Sequence, residues 1–310
     1  MTYPKYFDPK NSSALLGFFD NFEFLKTLYQ KQKLPKVLML SGTKGSGKAT
    51  LTNHLLHFIF DNKNYNEKRY EYNLNSIFHN QFLNNIFSNI IYLSGSNFKN
   101  LKIEDIRILK KKILQTSISS MPRFIIFDDV ELFNNNSLNA LLKIVEEPSK
   151  NNYFILINNK SKPLIDTIKS RCLDIKIILN EKMRIDVIES LVQKYKIKLI
   201  LDIKDSQLSP GNFIKFNFIL KENNILPSQD FLENLKILLN LYKKNKEIIL
   251  IDMILFLTNR YFNIIKNKNL LTNDKIIENK NFVFKNINNF FLYNLNQRAL
   301  LNAINNKLND

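Results

Sequence analysis

Six glycines serve this whole chain of 310 residues, and three of them, Gly42, Gly45 and Gly47, fall within one six-residue window. A chain so sparing of glycine places it where the backbone needs room or dihedral freedom that a Cβ denies. The window lies in SGTKGSGKATL, residues 41–51, between a short apolar run, Val37 to Leu40, and a stretch of helical periodicity from Lys48 to about Phe60. Strand, glycine loop and helix in that order predict one βα unit of a parallel sheet. Gly42 to Ala49, GTKGSGKA, matches the phosphate-binding pattern G-x-x-x-x-G-K-[ST] at every place but the last.

In that pattern, backbone N–H groups at a helix N-terminus surround phosphate oxygens, the lysine reaches the outer phosphates and the final hydroxyl coordinates magnesium. Gly42, Thr43, Lys44, Gly45, Ser46, Gly47, Lys48, Ala49 and Thr50 are therefore the candidate nucleotide-binding residues of the loop. Ala49 offers no oxygen. Thr50 does not simply replace it, because one step along a helix turns the side chain by roughly 100°.

FIIFDDVELF, residues 124–133, is an apolar strand that runs into two carboxylates. Behind a phosphate loop it reads as a Walker B strand, with Asp128 expected to hold magnesium through water and the next acidic residue to polarise an attacking water. That next residue is Asp129 rather than glutamate. Its carboxylate is shorter by one methylene, roughly 1.5 Å, and a misplacement of about 1 Å costs on the order of 10²-fold in rate.

Around these motifs the first half alternates strand-like and helix-like runs: Ile90 to Leu93 (strand), Ile103 to Gln115 (helix), Arg123 to Phe127 (strand), Ser137 to Glu146 (helix), Tyr153 to Ile157 (strand) and a short helix ending near Ser170. Such alternation predicts an α/β fold, a parallel sheet flanked by helices on both faces. Residues 61–88 are polar, rich in Asn and Tyr, and carry no clear period. After about Leu179 helical spacing takes over, in Glu181 to Lys196, Phe213 to Lys221, Gln229 to Asn245, Glu247 to Lys266 and Asn281 to Leu308. Turn residues and prolines in DSQLSPG and NNILPS set limits near 179 and 225, giving units 1–179, 180–224 and 225–310.

The formal net charge is +17. Lysine-rich drift accounts for it as readily as a tuned surface does, so charge supports proximity to DNA only weakly. The longest apolar run, Ile248 to Leu257, contains Asp252 and falls short of the ~20 residues of a membrane span, so a cytoplasmic chain without a membrane partner is expected. The single cysteine, Cys172, leaves no four-thiolate zinc site, and no zinc or other protein-held metal is expected.

From Ser137 to Cys172, SLNALLKIVEEPSKNNYFILINNKSKPLIDTIKSRC, the chain resembles the bacterial clamp-loader AAA+ family of DNA replication, and within it the delta prime branch. LNALLKIVEEP, the strand end INN at Asn158 and TIKSRC carry the likeness, with support from LLGFFDNFEFL, IEDIRIL and YNLNQRALLNAI. The resemblance implies an AAA+ P-loop domain, a small helical lid and an all-α C-terminal collar. It implies that Arg171 is an arginine finger reaching a neighbouring subunit's ATP site and that Asn158 stands at sensor 1. Cys172 reads as a buried small residue and not a nucleophile, because no histidine stands at a suggestive place. The implied partners are the gamma/tau and delta subunits and, through the assembly, the sliding clamp and primer-template DNA. Three departures count against hydrolysis: Ala49, Asp129, and Asn212 where the lid arginine is expected. ATP or ADP is thus expected only in a weak or vestigial site. The alternatives are an ATP-hydrolysing gamma/tau-type motor and a basic DNA-binding module.

Overall fold

A computed structural model describes residues 3–95, 121–146, 148, 151–227, 230–268 and 270–309. The helix expected over Ile103 to Gln115, with its IEDIRIL motif, lies outside the described residues. Two compact units emerge, one of Thr2–Lys196 with Ser206–Ile214 and one of Ile197–Asp205 with Lys215–Asp310.

The first unit is an α/β sandwich. Its elements are α1 (Phe19–Gln30), β1 (Val37–Ser41), α2 (Lys48–Phe60), β2 (Tyr65–Asn66), β3 (Glu71–Tyr72), α3 (Ile77–Leu83), β4 (Ile90–Ser94), β5 (Arg123–Asp128), α4 (Asn135–Val145), β6 (Asn152–Asn158), α5 (Asp166–Lys169), β7 (Leu173–Lys176) and α6 (Glu181–Tyr195). Five strands form one sheet in the order β4-β5-β6-β1-β7, every pairing parallel. This is a P-loop arrangement, with the glycine loop leaving the C-terminal end of β1 and the acidic pair at the end of β5.

Period-two alternation divides the strand residues between two cores. Leu38, Leu40, Phe124, Ile126, Ile155 and Ile157 face one side, where Phe22 and Leu25 of α1, Leu51 and Leu55 of α2 and Phe82 of α3 cover them. Val37, Met39, Ile125, Phe127, Phe154 and Leu156 face the other, against Leu138, Leu141, Ile144 and Val145 of α4 and Ile168 of α5. The central strands read as continuous apolar runs because both faces are buried. Helices start where side chains cap them: Asn134 Oδ1 accepts from Ser137 N at 2.8 Å, and Asn180 Oδ1 from Met183 N at 2.8 Å.

The aperiodic segment 61–88 folds as the β2–β3 hairpin and α3 around a buried aromatic nest. All three histidines of the chain, His54, His57 and His79, meet there. His57 Nδ1 faces the Asn53 carbonyl at 2.8 Å and so carries the proton, which leaves Nε2 to accept from His79 Nδ1 at 3.1 Å. His57 also stacks on Tyr72 with centroids 3.7 Å apart. His54 bridges the Tyr65 hydroxyl and the Ser12 carbonyl at 3.1 and 3.0 Å.

The second unit contains α7 (Ile203–Ser206 in part), most of α8 (Pro210–Glu222), α9 (Phe231–Asn245), α10 (Ile248–Asn267), α11 (Asn273–Tyr293) and α12 (Gln297–Asn309). Helix α10 is long and apolar enough to cross a membrane by length and composition. Here Leu250, Met253, Ile254, Leu257 and Phe262 form its buried face, and it packs against α9 and α11. The helical pattern read from 281 to 308 is two helices rather than one. Asn294, at φ 51°, ends α11 in the left-handed region that asparagine tolerates, and Asn296 Oδ1 caps α12 through Arg298 N at 2.8 Å.

Burial pushes His54 down to about 3 and His57 to about 4, against an ordinary value near 6.5. The unfolded chain therefore binds protons that the folded chain refuses between those values. Stability is fully present above about pH 6.5 and falls as pH drops toward 4, by about 1.4 kcal/mol per unit for each histidine. Urea unfolding across that range should show this slope, and His57→Phe should remove the His57 share while leaving that of His54. An unchanged slope in the variant would contradict the assignment.

Candidate nucleotide-binding site

The loop between β1 and α2 closes on itself. Gly42 N–H donates to the Asn158 carbonyl at 3.1 Å, tying the loop's start to the end of β6, and Ser46 N–H donates to the Thr43 carbonyl at 3.2 Å. The Lys48 ammonium donates to the carbonyls of Gly42 and Thr43 at 2.9 and 2.8 Å and approaches Ser46 Oγ at 3.4 Å. All three of its donors are directed at the loop, and the residue is only 2% exposed. Burial lowers its pKa to about 8, with Asp128, Glu131 and Asp129 acting in the opposite direction. It is still a cation at neutral pH.

The tip of the loop is held from residues 206–214 of the same unit. Ser209 Oγ donates to the Lys44 carbonyl at 2.6 Å, and Gly211 N–H to the Gly45 carbonyl at 2.9 Å. Gly45 has φ +79°, and a Cβ there would lie 2.7 Å from Ser209 Oγ and 2.9 Å from Asn212 N. Asn212, singled out in the sequence as standing for the lid arginine, thus lines the loop. Ala49 packs its methyl against the core beneath α2, while Thr43 is exposed and Thr50 half-buried. Beside the loop, a cleft of about 340 Å³ lies between residues 16–21 and α6, walled by Leu16, Phe18, Phe19, Met183 and Val187.

At the end of β5 the two carboxylates diverge. Asp128 Oδ2 accepts from the Tyr92 phenol and Oδ1 from Asp129 N–H at 2.9 Å. Burial, then the neighbouring Asp129, raises Asp128 to about 6. Burial and Asp128 push the Tyr92 phenol above its ordinary range, so it stays a donor. Asp129 is buried with φ 51°, and its Oδ1 accepts from Asn159 Nδ2 at 2.7 Å while Oδ2 faces Ser94 Oγ at 3.4 Å. Asn158 Oδ1 instead accepts from Lys160 N–H at 2.9 Å, closing its own turn. The side chain that reaches the acidic pair is therefore Asn159. Buried Glu131 holds the same turn, accepting from Asn159 N–H at 3.1 Å and Ser161 Oγ at 2.7 Å.

Tyr92, Ser94, Glu131 and Asn159 were not singled out in the sequence. The available signal was alternation: Tyr92 and Ser94 lie two apart on β4, and Ser94 stands opposite Asp128 in register. The donor set does not fit a P-loop magnesium. Ala49 supplies no oxygen, and the carboxylate meant for the cation is already satisfied by a phenol and an amide.

Arg171 follows the C-terminus of α5. Its Nη2 pairs with Glu146 Oε1 at 2.7 Å and its Nη1 donates to the Thr167 carbonyl at 2.8 Å. Its side chain keeps 37% of its surface in solvent. Cys172 is half-buried rather than fully buried. Its Sγ donates to the Ile168 carbonyl at 3.1 Å, and burial, helped by Asp174, pushes the thiol up to about 11, which suits a packing residue and not a nucleophile.

Gly45→Ala should cost about 1–3 kcal/mol, because it forces a left-handed alanine into the contact with Ser209 and Asn212. Chemical unfolding reads this, and unchanged stability would mean that the 206–214 segment does not clasp the loop.

A family model described as DNA polymerase III, delta subunit matches residues 20–181, just over half of the chain. DNA polymerase III subunit delta' of Buchnera aphidicola from Schizaphis graminum is 31% identical over 203 residues, 61% of this chain and 60% of that protein. DNA polymerase III subunit gamma of the same organism is 30% identical over 133 residues, 40% of this chain and 37% of that protein. The chain thus spans about 60% or less of the length of these relatives. Among solved structures, a DNA polymerase III gamma subunit-related protein of Thermotoga maritima aligns with 90% of this chain and 96% of its own at 16% identity, with a TM-score of 0.46. By the extent of the family match, the chain belongs to the DNA polymerase III delta subunit family.

Proposed function

We propose that this chain is a largely non-hydrolysing clamp-loader subunit of the delta prime kind. It supplies Arg171 to the ATP site of a neighbouring gamma/tau motor and helps to load a sliding clamp on primer-template DNA in the cytoplasm. The observation that carries this reading is the state of its own P-loop. Ala49 lacks the metal-binding hydroxyl, Lys48 is bonded to the loop carbonyls, and Asp128 is bonded to Tyr92. A site whose charged groups are satisfied from within is poorly arranged to stabilise charge that develops on a transferred phosphoryl group. Residues 180–224 would serve as the lid and 225–310 as the collar that joins the delta and gamma/tau subunits.

Arg171 suits the finger role by chemistry. Guanidinium is permanently charged and offers a planar fork to phosphate oxygens. Its pairing with Glu146 is between half-exposed groups, and pairs of that kind contribute only ~0–1 kcal/mol, so a phosphate in a neighbouring site can outcompete it. ATP or ADP, where it binds, would set its base in the apolar cleft between residues 16–21 and α6 and its phosphates at the Gly42–Thr50 loop.

The likeness to gamma subunits supports a second reading, an ATP-hydrolysing motor. Ala49 and Asp129 weigh against it. The deciding experiment reconstitutes the cognate motor and clamp-opening subunits with this chain as wild type or as Arg171→Ala, and measures DNA-stimulated ATP turnover. An arginine finger is worth ~10³ to 10⁵ in rate at the site it serves, so an assembled variant should lose most of the stimulated turnover. Equal turnover by both forms would remove the finger role.

A further inference from the structure

We infer that the Tyr92 phenol stands in for the metal at Asp128, so that this phosphate site operates without a divalent cation. This deepens the reading of the P-loop as non-hydrolysing but does not depend on the role of Arg171.

In a P-loop ATPase the carboxylate at the end of the Walker B strand binds the cation through water, and the loop hydroxyl binds it directly. Both contacts are altered here in a matching way. The hydroxyl position is Ala49, whose methyl packs on the core beneath α2. The carboxylate position keeps its acid, but Asp128 Oδ2 accepts the proton of Tyr92 and Oδ1 that of Asp129 N–H. A phenol O–H aimed at a carboxylate supplies the donor that a metal-bound water would supply, without the metal's charge.

The arrangement is built into the sheet. β4 pairs with β5 in parallel register, Tyr92 opposite Ile126 and Ser94 opposite Asp128. Residues two apart on a strand share a face. Tyr92 and Ser94 therefore project together toward the acidic end of β5, the long side chain meeting Asp128 and the short one meeting Asp129. Tyr92 packs at the edge of the first core, and the Lys10 ammonium lies 5.5 Å from its ring centroid. Asn159, donating to Asp129 at 2.7 Å, completes a set of neutral donors around both acids. Phosphates in the loop would then be met by Lys48 and backbone N–H groups alone.

The test is equilibrium dialysis of the full chain against Mn²⁺, with and without ADP, counting metal bound per chain. The forms compared are wild type, Asp128→Asn, Tyr92→Phe and the double variant. Wild type and Asp128→Asn should take up Mn²⁺ equally weakly, a comparison that does not require the Tyr92 variant to fold. Tyr92→Phe, which removes one hydroxyl, should bind Mn²⁺ at least about fivefold more tightly in the presence of ADP, since a group preferring a free carboxylate gains it. The double variant should lose that gain. Wild-type uptake that depends on Asp128 would overturn the inference. So would a folded Tyr92→Phe, checked by circular dichroism, that gains no metal.

Discussion

The ammonium of Lys48 governs the site. It is a nearly fully buried cation at the N-terminus of α2, where the helix dipole is unfavourable to positive charge, and it persists because loop carbonyls accept its protons and the acids at the end of β5 favour its charge. That requirement explains the geometry around it. The loop must turn back so that the carbonyls of Gly42 and Thr43 point inward, Gly45 must adopt a positive φ, and the acids at the end of β5 must lie near enough to favour the charge. The cradle is thus held in shape by hydrogen bonds within the chain.

The same logic extends to the acids. Two adjacent carboxylates at a strand end repel each other, and burial raises the cost. The structure separates them by placing Asp129 in the left-handed region, then pairs each with a neutral donor: Tyr92 for Asp128, and Asn159 and Ser94 for Asp129. The glycine loop keeps the shape of a phosphate cradle, while Lys48, Asp128 and Asp129 all have partners within the chain. The guanidinium of Arg171 lies apart from these acids, paired with Glu146 and the Thr167 carbonyl and with 37% of its side-chain surface in solvent.

Much of this was legible in the sequence for identifiable reasons. The glycine window and the run Val37 to Leu40 placed β1 and α2, because local geometry demands those residue types at those positions. The apolar runs Arg123 to Phe127 and Tyr153 to Ile157 gave the central strands, since burial on both faces removes alternation. Residues 61–88 were not legible: their order comes from tertiary contacts of His54, His57 and Tyr72, which no local period records. Tyr92 was equally hidden, because its partner lies on a neighbouring strand and only the register of β4 on β5 brings them together. The break at Asn294 was missed because asparagine is abundant throughout the chain, which masks the few positions where its left-handed tolerance matters.

The central claim is that the charged groups of the loop are satisfied from within and that the chain alone does not turn over ATP. The most direct measurement is a single-turnover assay of the purified chain in excess over labelled ATP with Mg²⁺, compared with Lys48→Ala. ADP formation indistinguishable between the two, at the level of buffer, is the result this account predicts. A phase of ADP formation present in wild type and abolished by Lys48→Ala would contradict it, and would make the chain a motor in its own right.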